Sequence, residues 1–118
     1  MAYHNKTGAL GEQLAAAYLT EQGYTVIEKN WRHSRWEVDI IASKDSFLHF
    51  IEIKTRRTKT FGLPEEHVGN KKIRNLINAA EEYLHLNPQW KHIRFDILAI
   101  TLNKDKAVEY FFIEDVYL

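Results

Sequence analysis

The chain has 118 residues, 45% of them hydrophobic and 27% charged, a composition that supports a folded core and is too apolar for a disordered segment. Its 16 basic side chains are balanced by 16 acidic ones, which is not the balance of a strongly basic, dedicated nucleic-acid binder, although local clustering can still build a binding face. Without cysteine it can form neither a disulfide nor a thiolate metal site, and no apolar run approaches the ~18 residues of a membrane helix. A single domain over residues 1–118, in a reducing cytoplasm and without membrane attachment, is the expectation.

In chain order, the pattern predicts a helix from about Thr7 to Gln22, with Thr7 as N-cap, Leu10, Leu14, Ala17 and Tyr18 at helical spacing, and Gly23 as the stop. Three strands follow, "YTVIEKNWRH", "WEVDIIAS" and "SFLHFIEIKTR", rich in β-branched and aromatic residues. The polar stretch from Thr55 to Gly69, with Gly62 and Pro64, reads as a loop. A second helix runs from about Asn70 to Leu86, with Ile73, Leu76, Ile77, Ala80, Tyr83 and Leu84 on one face, and Asn87-Pro88 ends it. The strands "HIRFDILAIT" and "AVEYFFIE", joined by "NKDK", close the chain. The order α-β-β-β-α-β-β predicts an α/β fold, one central mixed sheet flanked by helices. The apolar run Tyr110 to Ile113 is either a buried strand or a partner-facing edge through which a homodimer would form.

The second and third strands pose the main question, because Glu37, Asp39, Glu52 and Lys54 lie inside runs that otherwise read as buried. A turn at Ser43–Ser46 would set Ala42 opposite Phe47 and Asp39 opposite Phe50, with Glu52 a diagonal step of about 7–8 Å away on the same face. The period of two adds Glu37 and Lys54 to that face, and puts Val38, Ile40, Ala42, Phe47, Ile51 and Ile53 on the other with His49. Three carboxylates answered by one lysine repel one another and call for an outside cation. Oxygen-only ligands favour Mg²⁺ or Mn²⁺ over zinc. A lysine two residues after a metal-binding glutamate suits phosphodiester hydrolysis, since it can orient the attacking water or stabilise developing charge. The competing reading pairs Lys54 with Asp39 or Glu52 in a salt bridge at a wet sheet edge.

Five stretches in this order carry a resemblance: "GALGEQLA" (Gly8 to Ala15), "EVDII" (Glu37 to Ile41), "IEIKTR" (Ile51 to Arg56), Lys71 in the second helix, and "RFD" (Arg94 to Asp96). Together they resemble the YraN family, small bacterial proteins with a restriction-endonuclease-like fold of the PD-(D/E)xK superfamily. The resemblance implies a Mg²⁺- or Mn²⁺-dependent endonuclease acting on DNA, branched or single-stranded, in repair or recombination. The alternative it implies is a nucleic-acid-binding accessory protein that keeps the fold without cutting. By resemblance Asp39 and Glu52 are metal-binding acids, the Ile53 carbonyl a further ligand, and Lys54 the catalytic lysine. Glu12 is similar to the helix-borne glutamate of Holliday-junction-resolvase-like relatives; its competing reading is a first-turn acid favoured by the helix dipole. Glu37 matches a family glutamate with a supporting role. Trp36 stands where the family usually has glycine, and would either crowd the site or offer a base a stacking surface.

Around this hairpin the stretch from Lys54 to Arg74 holds seven basic residues, including Arg56, Arg57, Lys59, Lys71 and Lys72, against two acidic ones, Glu65 and Glu66. Such a cluster suits phosphate-backbone contacts with little base reading. The histidines have no ligand spacing and read as surface or packing residues. Asp96, mid-strand among apolar residues, is expected to pair with a basic side chain such as Arg94 or a helix lysine. A third class of reading, a partner-binding domain whose acids form only a salt-bridge cluster, also fits the spacing.

Overall fold

The first helix, α1, spans Ala2–Glu21 and ends where Gly23 takes a φ of 95°. The Tyr24 amide donates to the Leu19 carbonyl and the Gly23 amide to that of Thr20, the paired bonds of a Schellman end that only a residue tolerant of positive φ closes easily. Thr7 is not the N-cap predicted for it. With neither Pro nor Gly between Ala2 and Lys6, nothing stops the helix from continuing through it. The computed structural model describes the backbone of residues 2–57, 70–105 and 107–116, and the side chains of 9–57, 74–105 and 107–116.

Strands β1 (Thr25–His33), β2 (Trp36–Lys44) and β3 (Phe47–Arg56) form an antiparallel meander. Helix α2 (Asn70–Leu86) then carries the chain to β4 (Ile93–Leu102), which lies parallel to β3, and β5 (Val108–Ile113) returns antiparallel to β4. The sheet order β1-β2-β3-β4-β5 makes β3 its centre, and the mixed α/β architecture expected from the pattern is present. A parallel neighbour needs a crossover connection, which α2 provides.

Register differs from the sequence expectation. The β2–β3 turn is only Asp45 and Ser46, both at positive φ (52° and 72°), so Lys44 pairs with Phe47 and Ala42 with His49 rather than with Phe47. Asp tolerates the left-handed region, and the two-residue turn matches the strands' twist.

Each face of the sheet buries its own cluster. On the α1 side Ala15, Leu19 and Tyr24 pack with Ile40, Ala42, Ile51, Leu98 and Ile100. On the α2 side Leu76, Ala79, Ala80 and Tyr83 pack with Val38, Ile41, Leu48 and Phe50. Val38 therefore lies on the face opposite Ile40, not beside it as strict alternation required. Two residues three apart share a face only where the pleat is interrupted, and the interruption brackets Asp39. The run Tyr110 to Ile113 resolves by alternation on an edge strand. Tyr110 stacks on Tyr18 at 4.4 Å and Phe112 packs under α1, while Phe111 stays exposed. Among the described residues no helix is long and apolar enough to cross a membrane.

Candidate functional site

The interruption at Asp39 builds the site. The β2–β3 pairs run from Lys44–Phe47 to Ile40–Ile51 and stop there. The next β3 amide, that of Ile53, donates instead to the Asp39 carboxylate at 2.8 Å. A side chain thus replaces a strand carbonyl, and the carboxylate abuts the peptide joining Glu52 to Ile53. Glu52 is buried on the central strand between its β4 neighbours, and pairs across with Ile97. Lys54, half-buried, sits opposite Ala99. Asp39, Glu52 and Ile53 are brought together at adjacent strands, with Lys54 one pleat beyond. The salt bridge that would have made Lys54 a structural residue is absent among the described residues, where it forms no ion pair with Asp39 or Glu52.

Glu12 reaches the same level of the sheet by another route. A Cβ at Gly11 would overlap the Thr55 side chain, so glycine lets α1 lie directly on β3 one residue past Lys54. Glu12 is half-buried in mid-helix, which removes the first-turn dipole reading. Among the described residues, however, no three His, Cys, Asp or Glu side chains converge to hold a metal, so Glu12 does not complete a three-carboxylate set. Two carboxylates and a backbone carbonyl are a donor set that fits a hard cation retaining several waters.

The remaining predicted residues are dispersed. Glu37 is exposed and forms an ion pair with Arg32 at 3.4 Å, and Trp36 packs against the α2-side cluster. Arg56 is half-buried and Arg57 exposed on the strand end beyond Lys54. Lys71 and Lys72 lie in the first turn of α2, with side chains outside the described residues, as is all of Lys59.

Sequence reading missed a second polar cluster at the other end of β3. His49 and Asp96, 47 positions apart, are 5% and 0% exposed, and Nδ1 of the imidazole lies 2.6 Å from the carboxylate. The other Asp96 oxygen accepts the Asp115 amide at 2.7 Å. Asp96 thus pairs with His49, not with Arg94 as expected; Arg94 faces Asp115 at 3.9 Å and lies over the Phe47 ring. Tyr24 meets His49 edge-on, and its hydroxyl is held well above the ordinary tyrosine pKa, first by burial and then by the carboxylates of Asp96 and Glu114. The available signal was alternation: His49 shares a face with Ile51, and a polar residue on a buried face requires a partner.

The class these features define is an α/β protein with a mixed five-stranded sheet and two acids and a lysine on its central hairpin. The chain belongs to the Uncharacterised protein family UPF0102, the YraN family, whose model matches residues 11–100, from the glycine under α1 to the core of β4. It is 40% identical over 117 residues to a UPF0102 protein of Clostridium perfringens, covering 98% of this chain and 96% of that one. A UPF0102 protein of Flavobacterium psychrophilum is 40% identical over 118 residues, with 99% and 98% covered. One of Rhodococcus opacus is 44% identical over 103 residues, with 86% and 87% covered.

Proposed function

We propose that the chain is a Mg²⁺- or Mn²⁺-dependent endonuclease of the PD-(D/E)xK type, acting on DNA that is branched or single-stranded. The observation that carries this reading is the Asp39 carboxylate seated on the Glu52–Ile53 amide, one residue before Lys54. Asp39, Glu52 and the Ile53 carbonyl would hold the cation. A bound cation of this kind polarises the phosphoryl group and lowers the pKa of its water. Lys54 supplies a positive charge beside the site, where it orients the attacking water or stabilises charge developing on the phosphoryl oxygens. Buried Ile97 and Ala99 flank Glu52 and Lys54 and strengthen these interactions by keeping the local dielectric low.

The test compares wild type with Lys54→Met on labelled single-stranded and four-way-junction DNA in millimolar Mn²⁺. Cleavage falls by about 10²–10³ in the variant while affinity for the DNA stays close to wild type. Wild-type protein that binds but leaves every substrate intact would instead support the second reading, a nucleic-acid-binding accessory protein. That reading draws on the lack of a third converging carboxylate among the described residues.

A further inference from the structure

The strand position two beyond Lys54 holds an arrangement that a folded core does not ordinarily tolerate. On the half-buried Arg56 side chain, Nε and Nη1 are shielded from solvent and have no hydrogen-bond partner among the described residues. The guanidinium carries only donors and no acceptor, so these are cationic donors removed from water and left unanswered by the described residues. Shielded donors of that kind destabilise a fold, and where a native structure keeps one it calls for an explanation, such as a bound ion or a functional use. The surroundings sharpen the point. Arg56 pairs across with Thr101 on β4, follows Lys54 and Glu52 on the same side of the pleat, and is succeeded by the exposed Arg57. Lys54 too makes no ion pair among the described residues. Two cations on alternate positions of a central strand, neither neutralised there, form a strip of positive charge leading away from the acids.

We propose that Arg56 is a phosphate-binding residue, its guanidinium answering a phosphodiester oxygen of a nucleic-acid backbone next to the phosphate that lies at Asp39, Glu52 and Lys54. The ligand class rests on the nuclease reading, but the inference requires binding only, not cleavage. A phosphodiester supplies anionic acceptor oxygens where the described residues supply none to this guanidinium, and a charge-assisted hydrogen bond to such an oxygen is among the strong ones. The contact is to the backbone, so it adds affinity without base preference.

This assignment predicts an unusual combination. Replacing Arg56 by Met keeps an unbranched, flexible stem and removes the shielded charge. The folded state should therefore gain stability while the nucleic-acid complex loses it. Binding of a fluorescein-labelled oligo-dT strand is followed by anisotropy in EDTA over a salt series, alongside thermal unfolding of the free proteins. In Arg56→Met the affinity falls about tenfold and the slope of log affinity against log salt shrinks by about 0.7, one phosphate contact on a single strand. Its melting temperature rises by a few degrees. Should Arg56→Met not fold, Arg56→Lys carries the test, with a several-fold loss of affinity and unchanged melting. Variants that bind like wild type, variants that both melt lower (a structural arginine), or a wild type that does not bind the strand each overturn the inference. A Mn²⁺ arm separates it from the nuclease reading: binding that depends on Arg56 without cleavage removes the enzyme and keeps the phosphate residue. Cleavage that ignores Arg56 does the reverse.

Discussion

The two ends of β3 treat charge in opposite ways. At the end nearer the hairpin, Asp96 is fully buried, yet both of its oxygens are occupied, one by His49 and the other by the Asp115 amide. At the far end, among the described residues, Lys54 makes no ion pair and Arg56 holds two shielded nitrogens without a hydrogen-bond partner. The satisfied cluster ties the segment after β5 to β4, helped by the Val116 amide donating to the Phe95 carbonyl at 2.7 Å, and needs nothing from outside. The unsatisfied one is the end that our proposal assigns to an outside ligand. Buried polar groups alone therefore do not mark a site; what distinguishes one is how their hydrogen-bonding capacity is met.

That contrast can be broken from either side. Removing Asp96 should have the largest effect on folding: Asp96→Ala leaves the His49 ring and the Asp115 amide without their acceptor, and urea unfolding should show a loss of about 3–5 kcal/mol. A loss near zero would place the His49–Asp96 pair among dispensable contacts. Under the proposed function Lys54→Met, by contrast, should lower cleavage and leave the urea midpoint close to wild type, because the lysine makes no ion pair among the described residues. Gly11→Ala tests how α1 is set on β3. The added methyl meets Thr55 Cβ and Cγ2 as well as its hydroxyl, so turning the side chain does not relieve it, and the expected loss is about 1–3 kcal/mol. Cleavage that falls in this variant by more than its stability loss explains would give the seating of Glu12 a functional role.

The smallest effect concerns alkaline pH. Tyr24 is held above the ordinary tyrosine value of about 10 by burial first and by Asp96 and Glu114 next. A raised folded-state pKa means that the native chain binds more protons than the unfolded one above pH ~10, so stability is fully present below that pH and declines as pH rises beyond it. Tyr83 and Tyr110, also raised mainly by burial, contribute in the same direction. Tyr24→Phe should flatten the decline of melting temperature between pH 10 and 11 without abolishing it; an unchanged slope would show that Tyr24 is not one of the groups responsible.

Most elements were legible because each obeys a local rule. Helix α2 declares itself by apolar residues at helical spacing and ends at Asn87-Pro88, and the strands by their β-branched and aromatic runs. The candidate acids and lysine were legible too, since charge in an apolar strand is conspicuous. Their mutual geometry was not. It depends on a two-residue turn at Asp45–Ser46 and on the pleat break that turns Asp39 onto the Ile53 amide, and the hydrophobic pattern tolerates several registers around such a break.

What the chain determined by itself, then, was the order and kind of its elements and the presence of a charged hairpin, because periodicity and turn chemistry act between near neighbours. The pairing of His49 with Asp96, 47 positions away, was decided only when β4 was laid parallel to β3, and the shielding of two Arg56 nitrogens only by the tertiary fold. Burial and the partnering of charge are properties of the assembled sheet, since desolvation depends on neighbours that sequence spacing does not name.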